Sequence, residues 1–309
     1  MSKTNNFKSI LELMTHFSDE KTCLGYLAEM RWNGKPKCPH CKCEKIYSFS
    51  DSKRYKCAKC RKQFTARVKT IFEDSKIPLQ KWFVAIYLAT SHKKGISSMQ
   101  LSRDIDVTQK TSWFMLHRIR EMIKNSSPEL LDGEIEADET FIGGKNSNKH
   151  KEQRKILNEK GTGYVNMAPV FTILKRSPRM IVSTVVEEAK GEILKPIIRK
   201  SIKAGSTLIT DGFGGYHGLN KDYQHEIINH AQDEFVRGNF HTNTVEGFFS
   251  LLKRGITGIY HFVSPKHLQR YCDEFSFRYN TREMSESGRF NLALAQCDSR
   301  LTYERLIKK

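Results

Sequence analysis

The stretch GEIEADETFIGG, residues 133–144, decides the fold of the larger part of this chain. It holds a short β-type run, Glu134–Phe141, with Asp138 inside it and paired glycines after it. A second run, TLITDG at 207–212, is an apolar strand that ends on Asp211 and is stopped by Gly212. A carboxylate at a strand end beside glycine is placed to face a cleft, although either aspartate alone is also an ordinary turn residue. Working outward, Pro169–Leu174 and Met180–Val186 are further β-type runs, and Gly191–Ile202 has helical spacing of apolar residues. Strands in series, then a helix, then another strand, predict a mixed α/β domain. Residues 143–165, polar and rich in Lys, Asn and Gly, read as a mobile loop.

The third acid comes from a helix. In Thr244–Ile256, Val245, Phe248, Phe249, Leu252 and Ile256 make one apolar stripe. Asn243, Glu246, Ser250 and Lys253 lie on another face, so a carboxylate and an amine stand two turns apart. Alone, this is an amphipathic surface helix. With Asp138 and Asp211 it completes three carboxylates on separate elements, a set suited to two Mg²⁺ or Mn²⁺ ions acting on a phosphodiester. Lys253 would hold a phosphate nearby. Glu136 shares the strand face of Asp138, whereas Glu139 points the opposite way and is left out. His241 and Asn243 stand close to Glu246 in sequence, and 266–280 is helical by periodicity.

Upstream, Cys38-Pro-His-Cys41 and Cys57-Ala-Lys-Cys60 form C-x2-C-x15-C-x2-C. Two such knuckles place four thiolates around one structural Zn²⁺, a closed and non-catalytic site. His40 and Cys43 do not fit the paired geometry, and Cys23, Cys272 and Cys297 read as small hydrophobes. Lysines and arginines crowd the ribbon, and the chain carries a net charge of +18 from 52 Lys and Arg against 34 Asp and Glu. That balance favours a polyanionic partner. Ile96–Ile105 and Thr111–Ile123 are two helices around the turn 106–109, either a helix-turn-helix or a plain helical linker. Candidate DNA contacts are Arg54, Lys56, Arg61, Lys62, Lys110, Arg118, Arg120 and Arg254. The most apolar stretch, Trp82–Ala89, is far shorter than the roughly 20 residues of a membrane span. The opening MSKTNNFKSI lacks the apolar core of a signal peptide, so a cytoplasmic, nucleoid-associated protein is expected.

The segments read as an N-terminal helical part at 1–34, a zinc ribbon at 35–72, a helical DNA-binding part at 73–128, the α/β domain at 129–285 and a C-terminal tail at 286–309. Taken together, CPHC…CAKC, RKQFTARVKTIFEDSKIPLQKWF, DETFIGGK, TDGFGGY and HTNTVEGFFSLLKRGITGIYHFVSPKHLQRYCDEFSFRYN resemble the zinc-ribbon branch of bacterial insertion-sequence DDE transposases, the ISXO-like group. The resemblance spans roughly residues 20–285. It implies an RNase H-like catalytic domain of the retroviral-integrase type, with Asp138 on its first strand, Asp211 on its fourth and Glu246 on a later helix. It implies strand cleavage at element ends and transfer to target DNA, with double-stranded terminal repeats and target as partners. Synapsis of two ends implies a homo-oligomer on DNA. A DNA-binding regulator or inactive domesticated relic would share ribbon and charge but would not cleave; a nuclease of the same fold would cut without joining.

Overall fold

A computed structural model describes residues 6–51, 53–124, 130–144 and 167–308. Most of the expected loop at 143–165 therefore lies outside the described residues. The chain divides into two units, residues 125–280 and residues 1–124 with 281–309.

Residues 125–280 are built on a five-stranded sheet. Its strands are β4 (Glu134–Ile142), β5 (Ala168–Lys175), β6 (Met180–Val185), β7 (Thr207–Asp211) and β8 (Gln224–Ile228), after three shorter strands upstream. They lie in the order β6-β5-β4-β7-β8. The first three run antiparallel, and β7 and β8 join parallel to β4. Side chains alternate between the faces, so β4 serves two cores. Ile135 and Ala137 pack with Leu194 and Ile198 of helix α6 (Gly191–Ser201) and with Tyr216. On the opposite face, Ile142, Val170 and Leu174 meet Val245, Phe248, Phe249 and Leu252 of α7 (Asn243–Gly255) and Leu268, Cys272 and Phe275 of α8 (Pro265–Asn280). By that alternation Glu136 and Asp138 share one face, as the sequence predicts, and that face is the one α7 covers. A Cβ on Gly191 would meet the Gly215 carbonyl oxygen at 2.6 Å, which accounts for a glycine where α6 starts beside the 214–216 turn.

The other unit holds α1 (Ile10–His16), α2 (Glu20–Trp32), a ribbon of β1 (Ile46–Ser48), β2 (Arg54–Cys57) and β3 (Gln63–Thr65), then α3 (Leu79–Ser91), α4 (Ser98–Asp104) and α5 (Gln109–Met122). The ribbon is antiparallel throughout. Residues 286–309, expected as a tail, instead contain α9 (Glu286–Ala295) and α10 (Tyr303–Ile307). Their apolar spacing explains the difference. Phe290, Ala293, Leu294, Leu301 and Leu306 are buried, and the Phe290 ring packs edge-on against Phe83 of α3. The Ile71 amide donates to the Cys297 carbonyl at 3.1 Å, so this segment completes the unit's core.

Candidate metal centres and nucleic-acid interface

The two cysteine knuckles repeat one local turn. Lys42 N–H donates to Cys38 O at 2.9 Å, and Arg61 N–H donates to Cys57 O at 3.1 Å. Lys42 and Arg61 both adopt φ 62°, in the left-handed region that a non-glycine residue enters only with local support. The turns bring Cys38 Sγ to 3.6 Å from Cys60 Sγ and Cys41 Sγ to 3.5 Å from Cys57 Sγ. All four sulfurs lie within 4.8 Å of one another. A tetrahedron of sulfurs about 2.3 Å from a central zinc has edges of about 3.8 Å, so the donor set fits Zn²⁺. Cys43 stands outside the set, its thiol directed at Lys45 O. Stacked Tyr55 and Phe64, with Trp32 edge-on to both, form the hydrophobic floor that a domain this small needs beside its metal.

The carboxylates gather over one face of the larger sheet, at its inner strands β4 and β7. Glu136 and Ile209 pair across parallel β4 and β7, so Asp138 and Asp211 stand two residues further on, on the same face. Glu246 lies in the first turn of α7, which packs over that face. Burial, and then the charges of Asp211, Glu139 and Glu246, push the Asp138 carboxyl up to about 8. Like charges this close disfavour one another's ionisation, and a bound cation relieves that repulsion. Asp211 accepts from the Phe213 amide at 3.1 Å, and Glu246 accepts from the Thr242 hydroxyl at 3.0 Å, with His230 Nε2 at 3.8 Å. The Glu246 side chain is 49% exposed, and Lys253 is exposed two turns along the same helix. These oxygens are a looser set than the four sulfurs. Their hard, anionic character suits Mg²⁺ or Mn²⁺ completed by water and phosphate.

Two further acids flank Asp138. Glu139 lies on the α6 side, as its strand position predicts, and accepts a hydrogen bond from buried Tyr216. Burial raises its pKa, the Tyr216 bond opposes that, and the Asp211 charge adds to the rise. Glu136 is fully buried and bonded to Arg176 and to the Val245 amide. The sequence singled out neither Tyr216 nor Arg176; TDGFGGY contains Tyr216, but its spacing alone gives it no partner.

The basic candidates divide. Arg54, Arg61, Lys62, Lys110 and Arg254 are exposed and Lys56 is half-buried. Arg54 pairs with Asp51 at 2.6 Å, Lys110 lies 5.3 Å from the centre of the Tyr303 ring, and Arg254 donates to Ser250 O. Arg118 and Arg120 correct the expectation of DNA contact, being only 7% and 2% exposed. Arg118 donates to the carbonyls of Leu301, Ile71 and Glu73 and lies over the Phe114 ring. The α4–α5 pair has the predicted bihelical form, but only the first turn of α5 is open to solvent.

Residues 18–63 match the transposase zinc-ribbon domain, and residues 130–280 match the ISXO2-like transposase domain. Ribbon and α/β sheet thus define a transposase of the insertion-sequence class, a kind of protein that implies DNA binding. The chain belongs to the zinc-ribbon, ISXO2-like transposase family. It is 28% identical over 272 residues to an uncharacterized protein in the transposable element ISH50 of Halobacterium salinarum, covering 85% of this chain and 91% of that one. It is also 28% identical over 105 residues to an uncharacterized transposase-like protein of Haemophilus influenzae, covering 34% of this chain and 84% of that one. A chain of the simian T-cell lymphotropic virus intasome, solved with the PP2A regulatory subunit B56 gamma, aligns over 63% of this chain and 65% of its own. Its identity is 10% and its TM-score 0.29, a likeness that decides nothing about the fold. No helix among the described residues is long and apolar enough to cross a membrane.

Proposed function

We propose that this chain cleaves DNA at the ends of its own element and transfers the freed strands to target DNA. The domain doing so would be RNase H-like, with Asp138, Asp211 and Glu246 as its catalytic carboxylates. The observation that carries the reading is the convergence of Asp138 and Asp211, from adjacent parallel strands, with a helix that brings Glu246 near enough to raise the Asp138 carboxyl. The strand order β6-β5-β4-β7-β8, three antiparallel and two parallel strands with the first strand central, supports the RNase H-like assignment.

Two divalent cations, Mg²⁺ or Mn²⁺, would supply positive charge at the attacking and departing oxygens. The chain's own part is placement. Strand pairing fixes the separation of Asp138 and Asp211, and Thr242 orients the Glu246 carboxylate. Lys253 is placed to hold a phosphate beside them. In each step a hydroxyl of water or of a DNA 3′ end attacks phosphorus; the new P–O bond forms as the bond to the 3′ oxygen breaks, and the nucleophile's proton passes to solvent. The exposed ribbon residues Arg54, Arg61 and Lys62, with Lys56, Lys110 and Arg254, would contact phosphates rather than bases. Two ends must be held together, so a homo-oligomer on DNA is part of the proposal, in a cytoplasmic, nucleoid-associated setting.

Purified protein, labelled DNA carrying the flanking ends, and Mg²⁺ or EDTA test this. Metal-dependent nicking followed by joined products, both lost in Asp211→Ala, is the expected result. Tight binding without cleavage in Mg²⁺ would favour the regulator or the inactive relic. Nicking without joining would favour the nuclease.

A further inference from the structure

Helix α7 begins without a side-chain cap of its own. Thr242, the residue before its first turn, makes no capping bond and turns its hydroxyl to Glu246 instead. The Val245 amide of that first turn donates to Glu136 Oε2 at 2.9 Å. Glu136 thus caps a helix that starts more than 100 residues downstream, doing from a neighbouring strand what an N-cap residue does locally.

Its second oxygen accepts from Arg176 Nε at 2.8 Å, and Glu136 has no exposed surface. Arg176 spends its remaining donors on the segment that leads into α7. Nη1 reaches Asn239 O at 2.5 Å, and Nη2 reaches His241 O at 2.8 Å and His241 Nδ1 at 3.1 Å. Glu134 Oε2 lies 3.3 Å from Nη1, so two β4 carboxylates face one guanidinium. A planar guanidinium spans several acceptors in this way; a lysine ammonium does not.

We infer that Glu136 and Arg176 form a buried clamp that sets the position of Glu246 relative to Asp138, which makes both positioning residues of the carboxylate site. Two covalent facts join the clamp to that site. Glu136 is two residues from Asp138 on the same face of β4, and Val245 is the residue before Glu246. One side chain therefore links the backbone of the first acid to that of the third. The body of α7 is held separately by Phe248, Phe249 and Leu252 in the core. Loss of the clamp then frees the first turn without unfolding the helix. The inference rests on the reading of Asp138, Asp211 and Glu246 as the groups that hold a divalent cation.

Glu136→Gln is the test. Glutamine keeps the volume but turns an N–H₂ toward either Val245 N–H or Arg176, so donor faces donor at one of them. Two quantities are read on the zinc-loaded full chain: Mn²⁺ affinity by electron paramagnetic resonance, and amide exchange over residues 243–246. Outer-shell partners of metal ligands typically contribute about 10–100-fold in affinity. Mn²⁺ affinity should fall at least about ten-fold, and the Val245 and Glu246 amides should exchange at least about ten-fold faster. Arg176→Lys should fall between wild type and Glu136→Gln. Phe249→Leu, which loosens the same helix through its core, should lower the melting temperature and leave Mn²⁺ affinity unchanged. Affinity within two-fold of wild type in Glu136→Gln overturns the clamp, as does an equal loss in Phe249→Leu. If wild type binds Mn²⁺ no better than Asp138→Ala, the metal reading fails instead. The clamp then stands on faster exchange in Glu136→Gln and falls without it.

Discussion

Arg118→Met separates two readings of one residue. A phosphate contact on a recognition helix would make the substitution weaken DNA binding and spare the fold. The structure places the guanidinium inside the unit, donating to Ile71 O at 2.8 Å, Glu73 O at 3.1 Å and Leu301 O at 3.1 Å. Burial lowers its pKa, with Asp74 and Glu73 opposing the fall, which marks a cation held away from water. Methionine keeps the apolar stem over Phe114 and removes only the donors. Three carbonyls lose their partner at about 1–1.5 kcal/mol each, or about 3–5 kcal/mol together, once the relief of desolvation is set against charged-bond strength. That is a large part of a typical domain stability of about 5–15 kcal/mol. For a unit of roughly 150 residues it corresponds to a melting temperature lower by about 6–20 °C. Calorimetry on the zinc-loaded chain reads the melt, and a salt titration of DNA binding reads the other side. The expected outcome is a large loss of stability with the salt slope unchanged. A melt within 2 °C of wild type, together with a salt slope reduced by about one, would return Arg118 to the DNA surface and refute the buried reading.

Removing zinc with a strong chelator, or substituting Cys57→Ser, should release one zinc per chain, as atomic absorption would count it, and abolish the fluorescence signature of Trp32 packed on Tyr55 and Phe64. Cys43→Ser should retain full zinc content, and its loss would enlarge the ligand set. Asp211→Asn should abolish cleavage yet raise the melting temperature of magnesium-free protein, because it removes the largest of the neighbouring charges acting on Asp138; a lowered melt would contradict the repulsion. Tyr216→Phe leaves half-buried Glu139 without its phenol donor and should cost about 1–3 kcal/mol in a denaturant titration.

What could be read from the sequence, and what could not, follows one physical division. The cysteine knuckles, the alternation of Glu136 and Asp138 on one strand face, and the apolar stripe of Val245, Phe248, Phe249 and Leu252 are local patterns, and the structure contains each of them. Arg118 and Arg120 misled because helical periodicity assigns a charge to solvent unless a distant segment covers it. The covering segment for Arg118 includes Leu301, 183 residues away. The same segment reads as a tail by sequence, although Phe290, Ala293 and Leu294 have the spacing of a buried helical face. Glu136 remained unassigned for the same reason: its partners are Arg176, 40 residues on, and the Val245 amide, 109 residues on. Each of these residues is a charge that the fold buries. Such a charge stays buried only if another element arrives with bonds enough to offset its desolvation. In this fold the arriving elements are the C-terminal segment at Arg118 and the start of α7 at Glu136. A buried charge therefore marks where a distant part of the chain docks, and at Glu136 the docking part carries the third acid of the proposed site.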